Sequence, residues 1–168
     1  TCFIVPMDDP NVSYQEMAGK DLWNQSSTGS ISFDEVTVSD DAILGKENEG
    51  FKVMAKTLNG GRLFIAGMSL ASLAFGLDKC RTYAQEREQF GVPIGSFQRV
   101  QDVIIDMDIT LEQGLTWLID LTNRYDDNTL DRESAAKVKI ECSRKASEHM
   151  TMAMEICGGV SSLDEFGL

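Results

Sequence analysis

The sequence predicts an α+β chain: a short β segment followed by three long antiparallel helices, which make up most of a four-helix bundle. Three observations predict it. Before residue 45 the apolar residues come in short runs or alternate with period two. After Glu49 they recur every three or four residues. The helical stretch is then cut only twice, at Gly91-Val92-Pro93-Ile94-Gly95 and at Asp126-Asp127-Asn128-Thr129.

The β segment opens with Cys2-Phe3-Ile4-Val5, an apolar run stopped by Pro6 and the turn-like Asp8-Asp9-Pro10-Asn11. Residues 30–38 alternate polar and apolar. Ile31, Phe33, Val36 and Val38 share a face if a bulge near Glu35 absorbs a one-residue slip. Residues 23–29 (Trp23 to Gly29) read as a loop. In the first helix the expected stripe is Phe51, Met54, Leu58, Ile65, Met68, Leu73, Gly76, Cys80 and Tyr83. Gly60 and Gly61 each weaken a helix by about 1 kcal/mol, which points to close packing or a ligand beside them. A second helix fits Phe97 to about Tyr125, with Val100, Ile104, Met107, Leu111, Leu115, Leu118 and Leu121 inward. The third runs from about Asp131 to Cys157, capped by Thr129 and stopped by Gly158-Gly159. Its inward residues are Ala135, Val138, Cys142, Ala146, His149, Met150, Ala153 and Ile156. Most bundles have four helices, so three leave a face for a further helix or a partner chain.

Composition narrows the function. With 27 acidic and 15 basic residues in 168, the formal charge is −12, which disfavours nucleic acid and anionic membrane surfaces. The apolar fraction of 42% and charged fraction of 25% suit a folded soluble chain rather than disorder. Leu63–Leu77 is too short and too broken by glycine and serine to be expected to span a bilayer. Cys2, Cys80, Cys142 and Cys157 have no CxxC spacing and His149 is the lone histidine, so no metal site is expected and the thiols read as reduced. The opening TCFIVPMDDP has neither a charged leader nor a long apolar region, so secretion is not expected. A first residue of Thr1 suits a fragment or a processed product.

The densest chemical signal is Arg87-Glu88-Gln89-Phe90-Gly91-Val92-Pro93-Ile94, followed by Phe97-Gln98-Arg99-Val100-Gln101. Arginine offers a rigid fork for a pyrophosphate, the aromatic a stacking face, and glutamine a hydrogen bond to a sugar or base edge. The competing reading is a solvated, charged helix end punctuated by Pro93 and Gly95.

This run resembles the ERxQFGxPIxxFQxxQ signature of acyl-CoA dehydrogenases, and the resemblance continues along most of the chain. Thr1–Pro6 is similar to a TxFIV strand of that family, and Gln25–Val38 to its S-T…I-x-F-D-D-V-x-V strand. Leu44-Gly45 through Gly50-Phe51 is similar to its LG…GF segment, Leu58–Arg62 to L-x-x-x-R, and Ile156-Cys157-Gly158-Gly159 to its GG turn. The resemblance implies that residues 1–45 are the second half of a middle β-domain and 46–168 part of a C-terminal helical bundle.

It also implies FAD-dependent α,β-dehydrogenation of an acyl-CoA thioester, in which a carboxylate takes the α-proton and the flavin takes the β-hydride. Arg87, Glu88, Gln89 and Phe90, with Phe97 and Gln98, fall where the family contacts FAD, usually FAD held by a neighbouring subunit. Glu155, Gly158 and Gly159 match a segment that approaches the adenosine and pyrophosphate across a dimer. The family often has glutamine at the place of Glu155, and a carboxylate there repels phosphate. The segment after Gly159, Val160-Ser161-Ser162, also departs from the family's N-G-[FY]. Arg62 matches an arginine near the thioester and Asn59 a substrate-side position, with an ordinary charge pair as the plainer reading of Arg62. No residue matches the catalytic base: Gly61 stands at one family position, and the other lies past residue 168. Glu165 matches a structural glutamate instead. Implied partners are acyl-CoA, an electron-transfer flavoprotein and other copies of the chain in a dimer or tetramer. The implied location is the bacterial cytoplasm or the mitochondrial matrix, and 168 residues alone are expected to be inactive. The alternatives are a flavin-dependent acyl-CoA oxidase or monooxygenase on the same scaffold, and a non-catalytic helical assembly module.

Overall fold

The computed structural model describes residues 1–20, 23 and 25–168. They form two compact units, 1–56 and 57–168.

In the first unit β1 (Val12–Glu16) pairs antiparallel with β2 (Gly29–Phe33), Val12 opposite Phe33 and Glu16 opposite Gly29. The alternation predicted for residues 30–38 holds only as far as Phe33. Glu35 takes a left-handed φ of 51°, so the expected bulge is a strand end. The expected strand at residues 2–5 is reduced to one bridge, Phe3 to Ile43, because Pro6 stops the run and the partner is a single turn. β1 itself was not expected: the turn signals at residues 8–11 masked the alternation of Val12 and Tyr14. Gly29 is required at its place, since a Cβ there would lie 2.4 Å from the Tyr14 ring. Of the loop expected at residues 23–29, Trp23 is exposed and in the left-handed region, while Asn24 lies outside the described residues.

Three long helices follow: α1 (Gly50–Glu86), α2 (Gln98–Asp126) and α3 (Arg132–Cys157). Two buried clusters fix their directions. Leu63, Ala66 and Leu70 of α1 meet Leu121 of α2 and Val138 and Cys142 of α3. Leu73, Leu77 and Cys80 meet Met107, Ala146, Ala153 and Cys157. Helix α2 therefore runs antiparallel to both others, and α1 and α3 run parallel. Burial of these side chains contributes about 1.5–3 kcal/mol for each large one.

The stripe predicted for α3 is the one the fold buries, with Met150 and Ile156 at its half-buried edge. The cap differs. Asp131, not Thr129, accepts from the Ser134 N–H at 2.8 Å, and the Thr129 hydroxyl donates back to the Arg124 carbonyl at 3.3 Å. On α2 the stripe holds except at Leu115, which is exposed; Gly114 is buried in its stead. On α1 the predicted stripe is correct only from Leu73 onward. Phe51, Met54 and Leu58 are exposed, and the buried face runs through Leu63, Ala66, Leu70, Leu73, Leu77, Cys80 and Ala84. Helix α1 is also longer than the apolar stretch suggested, and by length and composition alone it could cross a membrane. That buried face against α2 and α3 is the packing of a core helix.

The glycines of the bundle separate by what surrounds them. A Cβ at Gly61 would meet nothing within 4 Å, whereas at Gly114 it would stand 2.5 Å from Leu70 Cδ2. Gly61→Ala should therefore stabilise the chain by about 0.5–1 kcal/mol. Gly114→Ala should destabilise it by about 1–3 kcal/mol, because buried Leu70 must leave its place. Thermal melts of the two variants moving in the same direction would contradict this account.

Candidate functional site

The chain between α1 and α2 folds into a two-residue-loop hairpin: β3 (Glu88–Gln89) pairs with β4 (Val92–Pro93), Gln89 opposite Val92. Phe90 and Gly91 form the turn, with φ of 54° and 84°. Two successive positive φ values suit Gly at the second place; a phenylalanine at the first costs of order 1 kcal/mol or more. Burial does not offset that cost, because Phe90 is 93% exposed. Its ring meets Phe97 edge to face, with centroids 6.2 Å apart. An unburied, strained aromatic pair is a surface prepared for contact with something else.

The rest of the hairpin is tied down. The Arg87 N–H donates to the Tyr83 carbonyl at 2.8 Å, and the Arg87 carbonyl accepts from the Ile94 N–H at 2.8 Å. The Arg87 side chain is exposed and makes no ion pair with any described residue. Glu88 and Gln89 are exposed on β3. Gln98 is exposed in the first turn of α2, which starts at Phe97 without a side-chain cap. The predicted residues Arg87, Glu88, Gln89, Phe90, Phe97 and Gln98 are thus all exposed on or beside the hairpin, with Phe90 and Phe97 in ring contact. They offer an exposed guanidinium, aromatic faces and an uncapped helix start, donors and faces that fit a pyrophosphate with an attached ring.

The second predicted segment lies at the C-terminus of α3. Gly158 adopts φ 64° and ψ −146°, and a Cβ at Gly158 or Gly159 would meet nothing within 4 Å. The Ser161 hydroxyl donates to the Gly158 carbonyl at 2.7 Å and that of Ser162 to Gly159 at 2.8 Å, so both carbonyls are occupied. Glu155 is exposed just before this turn. Because α1 and α3 run parallel, this turn and the hairpin lie at the same end of the bundle. The Tyr83 and Phe166 rings pack edge to face there at 5.8 Å.

The third predicted pair lies elsewhere. Arg62 Nη1 donates to Asn59 Oδ1 at 3.0 Å on α1. Arg62 and Arg87 are separated by 25 residues of α1 and its end, about 37 Å at 1.5 Å per residue. The two cannot flank one reacting bond within a single copy of the chain.

Sequence reading missed four contacts. His149, 1% exposed, places Nδ1 2.8 Å from the Lys145 carbonyl and Nε2 3.0 Å from Asp106 Oδ2. Gln101 Nε2 donates to the Gly95 carbonyl at 2.8 Å. The buried thiols of Cys80 and Cys157 face each other between α1 and α3. Gln101 had a signal in its place in the run after Phe97, and His149 and Cys80 in their places on the inward stripes, but their partners had none. Trp117 and Met150 are half-buried, and Met152 and Met154 are exposed.

Burial, aided by the neighbouring Cys157 thiol, pushes Cys80 up to about 12. A thiol raised in the fold stabilises it fully below the unfolded-state value and loses that contribution as pH rises toward the folded one. Stability should therefore fall between about pH 9 and 12 in the native chain, and less in Cys80→Ala. Identical alkaline melting curves for the two would refute it.

Comparison with known proteins agrees with this geometry. Residues 48–168 match the family model for the acyl-CoA dehydrogenase C-terminal domain. The chain is 32% identical over 168 residues to the probable acyl-CoA dehydrogenase YngJ of Bacillus subtilis, covering 100% of this chain and 44% of that protein. Butyryl-CoA dehydrogenase from Megasphaera elsdenii superposes with a TM-score of 0.89 at 28% identity, over 97% of this chain and 43% of that one. A structure described as PigA with FAD and proline also gives 0.89, at 26% identity over 98% and 43%. The chain belongs to the acyl-CoA dehydrogenase family. It spans less than half the length of these relatives.

Proposed function

We propose that the full-length protein is an FAD-dependent acyl-CoA dehydrogenase and that these 168 residues supply its inter-subunit cofactor contacts and part of its substrate side. The hairpin carries this reading, with Arg87, in no ion pair among the described residues, three residues before the exposed, strained Phe90. Bound FAD supplies a two-electron acceptor for hydride from the substrate β-carbon. Arg87 holds a pyrophosphate by its guanidinium fork, Phe90 and Phe97 cover a ring face, and Glu88, Gln89 and Gln98 orient the sugar and base edges. The open Gly158-Gly159 turn lets backbone approach the adenosine end, and Glu155 sits at its rim. Arg62, held by Asn59, points to the thioester end of a different active site from the one its own hairpin serves. That separation of about 37 Å along α1 supports an assembly of at least two copies of the chain, a dimer or tetramer. Gly61 offers no carboxylate, so the α-proton base lies outside these residues and the segment alone is inactive. Reduced enzyme then passes its electrons to an electron-transfer flavoprotein.

The test is a visible spectrum of full-length protein before and after an acyl-CoA is added anaerobically. Bound flavin that bleaches supports the proposal. Proline runs beside it as the competing substrate, because a relative described with FAD and proline has the same fold at the same TM-score. Bleaching by proline alone would replace the acyl-CoA assignment, oxygen consumption during turnover would favour an oxidase or monooxygenase, and folded protein without flavin would leave an assembly module.

A further inference from the structure

The proposed cofactor-facing residues of the hairpin are exposed, and in the turn that follows them only Ile94 is buried, so hydrogen bonds must do much of the positioning. Three contacts converge on the short turn at residues 94–97. The Ile94 N–H donates to the Arg87 carbonyl at 2.8 Å, and the Phe97 N–H to the Ile94 carbonyl at 3.0 Å. Gly95 lies so close to the end of α1 that a Cβ would stand 3.0 Å from the Ala84 carbonyl oxygen. The fourth side is closed by a side chain, Gln101, whose Nε2 donates to the Gly95 carbonyl at 2.8 Å from one turn inside α2. Backbone contacts tie the turn to α1; on the α2 side the Phe97 carbonyl accepts from the Val100 and Gln101 N–H groups at 3.0 and 3.1 Å, and the Gln101 amide adds the one side-chain tie shown there, to Gly95.

We infer that Gln101 is a positioning residue. Its amide pins the Gly95 carbonyl and so sets the relative placement of Arg87 and Phe90 on one side of the turn and Phe97 and Gln98 on the other. It touches no cofactor itself. Its consequence for FAD rests on the proposed flavin role of the hairpin; its consequence for the hairpin does not. Without the amide the Gly95 carbonyl turns to water, the turn keeps only its backbone bonds at Phe97 to α2, and the two halves of the surface are held less closely in one arrangement.

The test uses full-length protein carrying Gln101→Met, which keeps length and volume and removes the donor. Hydrogen exchange is read at the Ile94 and Phe97 amides, and FAD affinity is read by flavin titration. Amide exchange at both should speed up while exchange in the middle of α2 and α3 stays unchanged. FAD affinity should fall about 3–10-fold, the worth of one ordinary hydrogen bond. In an Arg87→Ala background the same substitution should lose most of its effect on affinity, since its action runs through the placement of Arg87. Unchanged exchange at Ile94 and Phe97 overturns the inference. So does a full, additive loss of affinity in the Arg87→Ala background. If wild-type protein binds no FAD, the flavin role of the hairpin fails, and the exchange readout still decides whether Gln101 pins the turn.

Discussion

Arg87→Ala in the full-length protein should weaken FAD binding by about 10–100-fold, the worth of a charge-assisted hydrogen bond of about 1.5–3 kcal/mol. The stability of the flavin-free protein should hardly change. The side chain is exposed and pairs with no described residue, so the fold loses nothing when it goes. Arg87→Lys should fall between, because an ammonium keeps the charge and gives up the two-pronged fork. Arg87→Glu should be the worst of the three. Flavin titration in low and moderate salt measures all of them. Equal affinity across the series would remove Arg87 from the cofactor surface and return the hairpin to a solvated helix end.

His149→Ala should be the most damaging single change in the bundle, at about 3–5 kcal/mol, because it empties a buried ring site and deletes two hydrogen bonds. The order among related variants tests the cause. Asp106→Leu leaves a buried ring nitrogen without its acceptor and should cost about 1–3 kcal/mol. His149→Leu fills the volume, and the Asp106 side chain, 63% exposed, turns to water at little cost. It should cost less than His149→Ala by the difference between an empty and a filled site. Melting temperatures in the order His149→Ala, Asp106→Leu, His149→Leu, lowest first, would support the pair as a tie between α2 and α3. An Asp106 variant that melts with the wild type would show that the ring is held by packing alone.

The three helices were legible because each has an apolar repeat long enough to stand out from its surroundings, and because proline and glycine pairs punctuate them. The face of α3 was legible too: small and apolar residues line one side while Glu133, Lys137, Glu141, Arg144 and Glu148 line the rest. The face of α1 was not. Phe51, Met54, Leu58, Phe64 and Phe75 compete with Leu63, Ala66, Leu70 and Leu77 in apolar character, so periodicity gives two answers. Only the partners decide between them, and α2 and α3 take the second set.

The candidate surface divides in the same way. The residue types at 87–101 and their order are a local pattern, a fork, an aromatic and amides within a few residues, and that pattern is what the proposed cofactor role starts from. That Phe90 bears a left-handed backbone, that Arg87 has no ion-pair partner among the described residues and that Gln101 reaches back to Gly95 depend on the turn's dihedral angles and on helix register, which residue identities do not carry. His149 and Asp106 lie 43 residues apart on different helices. The sequence by itself determined the three long helices, their order and the residue types of the segment between α1 and α2, since these follow from local periodicity and side-chain type, whereas β1 and the β3–β4 pairing were not legible in it. Tertiary structure alone decided which face of α1 is buried, which thiols and which acid–imidazole pair meet, and how far Arg62 stands from Arg87, since each of these depends on the register between packed helices.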